Sequence, residues 1–317
     1  MVIYLKLSHK YQWFDKPNED RKQHSVAVPT SGGIVFMLPI VLVTIFCPEF
    51  SLFSSNYFTL ALVVLIVAGA YDDFKNLSVR FRLVLIAMAS ALLITSLFAI
   101  ETINWLLLIV YFLGIIWWMN LFNFMDGANG MAVLHAIIAL LAYFVFFFLF
   151  SNISFLYLIY LLFILSCLGA FLLFNFPYAK VFMGDSGSLS LSFLIAAIAL
   201  YGIAHGIFNQ WVVISFHLVF IVDATLTLLT RIKYKHPMTQ AHNLHLYQSL
   251  IASGQSHAQV TILYAGATIV IAAITLGMRY LQVNPFIQAS VLVIETLFLS
   301  IYWFNYHHKT KFKRFIR

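Results

Sequence analysis

The sequence predicts an all-α, polytopic integral membrane protein. Three observations carry that expectation: 62% of the 317 residues are hydrophobic against 9% charged, the mean hydropathy is +0.94, and unbroken apolar runs recur along the whole chain. A soluble domain carries about 45–50% apolar and about 25% charged residues. The composition therefore excludes a soluble enzyme, a disordered chain and a nucleic-acid reader that works by charge alone. The formal net charge of +7 has a simpler origin, because cytoplasmic loops of membrane proteins collect Lys and Arg. An outer-membrane barrel would alternate in segments of roughly ten residues, which these runs do not. Cys47 and Cys167 both lie in apolar stretches and suggest neither a disulfide framework nor a metal pair.

A helix crossing the hydrocarbon core needs about 20 mostly apolar residues. Taken in order, candidate runs occupy 32–47, 57–71, 83–100, 104–122, 131–150, 155–174, 187–205, 210–230, 259–281 and 285–306, about ten spans. The run ending at Tyr71 is short, as for a tilted helix. Ten spans place 1–31, 72–82, 123–130, 175–186, 231–258 and 307–317 on one side of the membrane. That side holds 17 of the 18 Lys and Arg residues, and only Arg279 lies near the other. The parity predicts a cytoplasmic N-terminal segment (1–31), a basic cytoplasmic tail (307–317) on anionic headgroups, and a multi-pass membrane protein. No cleavable signal peptide is expected, since Lys6 follows a very short apolar opening. No linker-rich boundary or repeat divides the chain, so 1–317 reads as one membrane domain.

The acidic residues concentrate the chemistry on the basic side. Asp72, Asp73, Asp126 and Asp185 each abut the end of an apolar run. A carboxylate at the bilayer centre costs about 2.5–3.5 kcal/mol on insertion scales, so the ends are where carboxylates belong. Spacing alone leaves two readings open: solvated loop ends, or a carboxylate group that holds Mg²⁺ and leaves room for phosphate oxygens. Asp223 lies inside an apolar run near Thr225, Thr227 and Thr230 and is a second-rank site candidate. Glu295 reads as a structural hydrogen-bonding group, and His135, His205 and His217 as core histidines.

The wording around the aspartates is specific. The segments run Val28-Pro29-Thr30-Ser31-Gly32-Gly33, Ala70-Tyr71-Asp72-Asp73-Phe74-Lys75-Asn76, Asn120 to Gly130 with Asn123, Asp126 and Asn129, and Asn175 to Ser188 with Phe182-Met183-Gly184-Asp185. In that order they resemble the polyprenyl-phosphate N-acetylhexosamine-1-phosphate transferases, glycosyltransferase family 4. A fifth stretch, Ala241 to Gln248 with His242 and His245, is similar to the histidine loop of the O-antigen-initiating branch rather than the denser run of the muramoyl-pentapeptide branch.

The resemblance implies a Mg²⁺-dependent enzyme, with Mn²⁺ as an alternative, whose active site faces the cytoplasm. It would move a sugar-1-phosphate from a UDP-N-acetylhexosamine to undecaprenyl phosphate. The products would be a lipid-linked diphosphate sugar and UMP, starting an O-antigen or other envelope glycan. Asp72, Asp73, Asp126 and Asp185 become the catalytic candidates. Asp185 is the first metal ligand, with Asp72 and Asp73 supporting it and positioning or deprotonating the lipid phosphate. Thr30, Asn76, Asn123, Asn129 and Asn175 are substrate contacts, Phe182 a platform for uracil, and His242 and His245 diphosphate contacts. The partners are the donor, the lipid acceptor and the bilayer, with no nucleic acid and with a homodimer left open. Two departures stand out. Asn129 replaces the usual second Asp, keeping hydrogen bonds but losing charge. Only Val2–Leu7 remains of the helix that usually precedes the stretch matching Asp15, Pro17 and Asn18. These departures keep an inactive scaffold in view as one alternative, and a membrane transporter is the other.

Overall fold

The computed structural model describes residues 1–15, 27–53, 56–75, 77–98, 104–237 and 242–310, with backbone alone for 15 and 308–310. It is all-α apart from one ladder of two-residue strands. In order, α1 (Val2–Tyr11) leads into β1 (Phe14–Asp15), which pairs antiparallel with β2 (Val28–Pro29). Then follow α2 (Gly33–Phe46), α3 (Asn56–Lys75), α4 (Val79–Leu97), α5 (Trp105–Met125), α6 (Met131–Phe150) and α7 (Phe155–Asn175). The remaining helices are α8 (Gly184–Ala204), α9 (Gln210–Lys233), α10 (Leu246–Ala252), α11 (His257–Tyr280) and α12 (Pro285–Thr310). The short α1, α10 and the ladder were not among the sequence expectations.

Among the described residues nine helices are long and apolar enough to cross a membrane, where the sequence suggested about ten. The difference is α2, whose 14 residues extend only about 21 Å against a hydrocarbon core of about 30 Å. Pro39 inside it removes one backbone bond, and the helix stops before Pro48.

The polar ends of the helices also lie further out than hydropathy suggested. Asp72 and Asp73 belong to the last turn of α3, Asn123 to α5, and Asp185 to the first turn of α8. A hydropathy edge marks where the oil ends; the backbone bonds continue into the headgroup layer, where polar side chains are cheap.

The bundle is built around α8, which is buried over 83% of its apolar window. Its Ser186, Ser188, Ser190 and Ser192 are all fully buried, and small side chains let neighbouring backbones approach closely. The approach is closest at Gly33 of α2, where a Cβ would strike the Gly187 backbone of α8.

Inside the bundle, His135 and His217 bond each other at 3.0 Å, and Tyr143 bonds His217 at 3.0 Å. These two are core histidines as expected. His205 is not: it is exposed at the end of α8. Nor does Glu295 make the structural hydrogen bond expected of it, since neither carboxylate oxygen has a partner among the described residues.

Candidate active site

The ends of α3, α5 and α8 and the start of α4 bring the motif residues together. Gly184 opens α8 at φ +71°, and a Cβ there would approach Asp73 Oδ2 to 2.5 Å. Only glycine lets the helix begin so close to a carboxylate. Asp73 then caps α8, accepting the Asp185 N–H at 2.7 Å and the Ser186 N–H at 3.4 Å. The Ser31 hydroxyl donates at 2.6 Å to Asp73 Oδ2, the oxygen that also accepts from Ser186. A carboxylate at this position meets unpaired N–H groups and the positive end of the helix dipole.

Asp72 is buried. It accepts the Leu77 N–H at 2.5 Å and Arg82 Nη1 at 3.3 Å. The same Arg82 nitrogen donates to Asp185 Oδ2 at 3.4 Å, so one guanidinium bridges two carboxylates. Asn123 donates to Asp185 Oδ1 and, at 2.8 Å, to Ser188 Oγ.

Asp126 stands at the C-cap of α5, and its carboxylate has no hydrogen bond among the described residues. Burial, then the charges of Asp185 and Asp73, push it well above the usual carboxylate range. Four carboxylates therefore gather around one bridging cation. That surplus of negative charge is suited to a divalent ion, although no three His, Cys, Asp or Glu side chains converge as a preformed cage among the described residues. The two facts are compatible, because Mg²⁺ commonly takes one or two carboxylates and completes its shell with water and substrate phosphate. By charge and donor type the residues fit such an ion.

Several residues expected to touch substrate make bracing contacts within the chain. Asn175 is buried; its Oδ1 accepts the Gly130 N–H and its Nδ2 donates to the Val181 carbonyl, both at 2.8 Å. Both ends of its amide are thus consumed by backbone. The Thr30 backbone ties the N-terminal ladder through Trp13 and Tyr4, and its neighbour Ser31 reaches the site. Asn129 donates to the Pro177 carbonyl at 3.1 Å, holding the 126–130 and 175–182 segments together. Asp73, expected beside the lipid phosphate, is occupied as a helix cap. Phe182 is half-buried, and its backbone pairs with Pro29 and Gly32. Asn76 lies outside the described residues.

The histidine loop folds inward. His245 is 2% exposed, with Nδ1 3.9 Å from Asp223 Oδ1. Burial first, then Arg231 and His307, bring its pKa down to about 3. It is a neutral ring in the interior, not a cation for a diphosphate. His242 is also pulled down to about 3, by burial and then His245, Arg231 and His236, but it remains partly accessible.

Asp223 takes the larger role. It accepts the Leu246 N–H at 2.7 Å, the Tyr264 hydroxyl at 2.7 Å, and the Tyr247 N–H and Trp303 Nε1 at 3.3 Å each. Tyr247 in turn donates to the Phe124 carbonyl at 3.0 Å, which links α10 to the Asp126 segment.

Sequence reasoning missed Arg82, Ser31, Ser188 and Tyr247 as site residues. Arg82 had one signal, a cation abutting the apolar run 83–100. The other three lie inside the quoted segments, but nothing local marked their contacts, since their partners are remote in sequence.

Residues 55–203 match the glycosyl transferase family 4 profile. The matched stretch contains Asp72, Asp73, Asp126 and Asp185. Over 315 aligned residues the chain is 29% identical to a probable undecaprenyl-phosphate N-acetylglucosaminyl 1-phosphate transferase of Bacillus subtilis, covering 94% of this chain and 87% of that protein. It is 28% identical over 297 residues to a phospho-N-acetylmuramoyl-pentapeptide-transferase of Streptococcus pneumoniae, covering 84% and 89% respectively. The profile spans the aspartates that the fold gathers at one end of the bundle, and over that stretch the chain is similar to glycosyl transferase family 4.

Proposed function

We propose that this protein transfers N-acetylhexosamine-1-phosphate from a UDP-sugar to undecaprenyl phosphate in a bacterial inner membrane, releasing UMP. The observation that carries the reading is the position of the site. Asp126, Asp185, Arg82 and Asn123 meet where apolar helices end, the depth at which a soluble anionic donor and a membrane-bound phosphate can both arrive. The basic bias supports a cytoplasmic orientation, and the relatives' names support the acceptor.

Two polyanions approach only when their charge is offset. Bound Mg²⁺, or Mn²⁺ in its place, supplies that neutralisation for the phosphates. We assign Asp185 as the first ligand, with Asp126 beside it. Arg82 holds Asp185 oriented and keeps Asp72 from standing as a lone buried charge. Asn123 fixes the other Asp185 oxygen. Asp73 acts indirectly, by holding the α8 N-terminus that carries Asp185. Phe182 is assigned to the uracil face and His242 to the diphosphate side, as a neutral hydrogen-bonding ring.

We further assign the chain to initiation of an envelope glycan of the O-antigen kind, with a small N-acetylhexosamine donor. The segment between α9 and α10 is short, and Asp223 draws its end into the bundle, which leaves little material to grip a peptide. A site built to bond a sugar hydroxyl discriminates strongly against donors lacking it. The test is kcat/KM for UDP-N-acetylglucosamine, its 6-deoxy and 4-epimeric relatives, and the muramoyl-pentapeptide donor. Efficient transfer from the last would overturn the branch and leave the reaction class standing. Transfer from none would favour the inactive scaffold, for which Asn129 is the motivating residue. A transporter expects its acids at mid-membrane, whereas these acids lie at helix ends.

A further inference from the structure

The end of the bundle away from the aspartates holds a second cavity with polar walls. Its volume is about 600 Å³, inside the about 300–1,000 Å³ range of small-molecule sites. It forms where the 205–209 connection between α8 and α9 meets the 281–284 connection between α11 and α12, against the last turn of α6. Among the described residues no Asp or Glu lines it, and the one cation that does is Arg279. This is the single basic residue of 18 that the charge bias leaves on this side.

Arg279 has no ion pair or hydrogen bond from its side chain among the described residues. Its Nε is buried without a partner, and its guanidinium lies 5.4 Å from the centre of the Phe150 ring. Tyr280 and Gln282 beside it likewise make no side-chain hydrogen bond among the described residues. The facing wall is different: Asn209 donates to Gln288 at 3.1 Å, and Gln288 to the Val283 carbonyl at 2.8 Å. Among the described residues the cavity thus offers spare donors, a positive charge without a counter-charge, and an aromatic floor. A cation at the last turn of α11 is favoured by the helix dipole, which explains its place on the helix. It does not explain a cavity in which that cation's donors go unfilled.

We propose that this cavity binds the phosphate of an anionic lipid headgroup in the leaflet opposite the aspartate cluster. Arg279 holds the phosphate through its fork of N–H donors, Tyr280 and Gln282 add donors at the rim, and Phe150 meets the first carbons below the headgroup. Free inorganic phosphate shares the anion chemistry. The aromatic floor at headgroup depth favours the lipid. The proposal is independent of the transferase reading.

Native mass spectrometry of the full-length protein from phosphatidylglycerol nanodiscs tests it. Wild type should retain phosphatidylglycerol, and Arg279→Gln should lower retention about tenfold or more, the loss of one charge-assisted contact. Arg279→Lys should keep part of it. Lys233→Gln, at the other end of the bundle, should keep all of it, which separates the site from general attraction to basic loops. Inorganic phosphate should not displace the lipid. Arg279-dependent retention of inorganic phosphate instead would support the anion site and change its source. If Arg279→Gln does not elute as one folded species, Gln282→Glu places a carboxylate at the rim and should lower retention in the same way. Equal retention by wild type and either variant would overturn the proposal.

Discussion

Arg82 joins two carboxylates from different helices, so its removal has two separable effects. Asp72 is left with the Leu77 N–H alone, and Asp185 loses the contact that fixes Oδ2. The Asp72 side chain is 5% exposed and the Arg82 side chain 22%, so the cost lies between a surface pair and a fully buried one. We expect Arg82→Gln to destabilise by about 1–2 kcal/mol, read as a lower Tm, and to reduce turnover by more than that loss of folded protein explains. Arg82→Lys should restore stability better than turnover, because an ammonium cannot reproduce the planar fork.

Asp185→Asn should lower turnover by about 100-fold or more, since an amide lacks the charge that a ligating carboxylate supplies. Asn129→Asp should change it far less. Asn129 Nδ2 bonds a backbone carbonyl, so an Asp there loses one brace and gains a charge outside the Asp185 contacts. Near-normal turnover of Asp185→Asn, with expression matched, would remove Asp185 from its assigned place.

At the scale of elements, the nine long helices were legible because burial in lipid demands unbroken apolar runs, and the four motif segments were legible through their wording. What they do once folded was not. Asn175 and Asn129 read as substrate contacts because amides suit sugars and bases, yet the backbone carbonyls that claim them come from segments whose approach no local pattern reveals. Asp223 read as a second-rank acid because its donors, on α10, α11 and α12, lie 23 to 80 residues away.

Two element-level predictions follow from these contacts. Gly184→Ala forces a side chain into a left-handed backbone, costing about 1–2 kcal/mol, and against Asp73. It should lower Tm and uncap α8, whereas Gly266→Ala, with open space at its Cβ, should leave Tm unchanged or raise it. The buried neutral His245 gives a pH signature. Its folded pKa of about 3 lies below the ordinary 6.5, so the unfolded segment binds the proton first. Its stabilising contribution is full above about pH 6.5 and falls as pH drops toward 3, by about 2 kcal/mol at pH 5. Once corrected for the slower intrinsic exchange at lower pH, amide protection over 244–252 should therefore be weaker at pH 5 than at pH 7, and unchanged protection would contradict a buried neutral ring.

For the whole molecule, the charge bias and the fold make one arrangement: motif residues at one end, Arg279 at the other. In a background with Cys47 and Cys167 replaced, Tyr178→Cys, exposed at the aspartate end, should resist an impermeant thiol reagent in intact cells. Asn152→Cys, exposed at the other end, should label. The reverse pattern would invert the orientation and place the site outside the cell.

The most direct measurement of the central claim is transfer itself. Purified wild-type protein, Mg²⁺, undecaprenyl phosphate and a radiolabelled UDP-N-acetylhexosamine should give label in the lipid phase together with an equal amount of UMP, and neither product without the acceptor lipid. Release of free sugar phosphate in place of a lipid-linked product, or no turnover with any UDP-N-acetylhexosamine, would contradict the account.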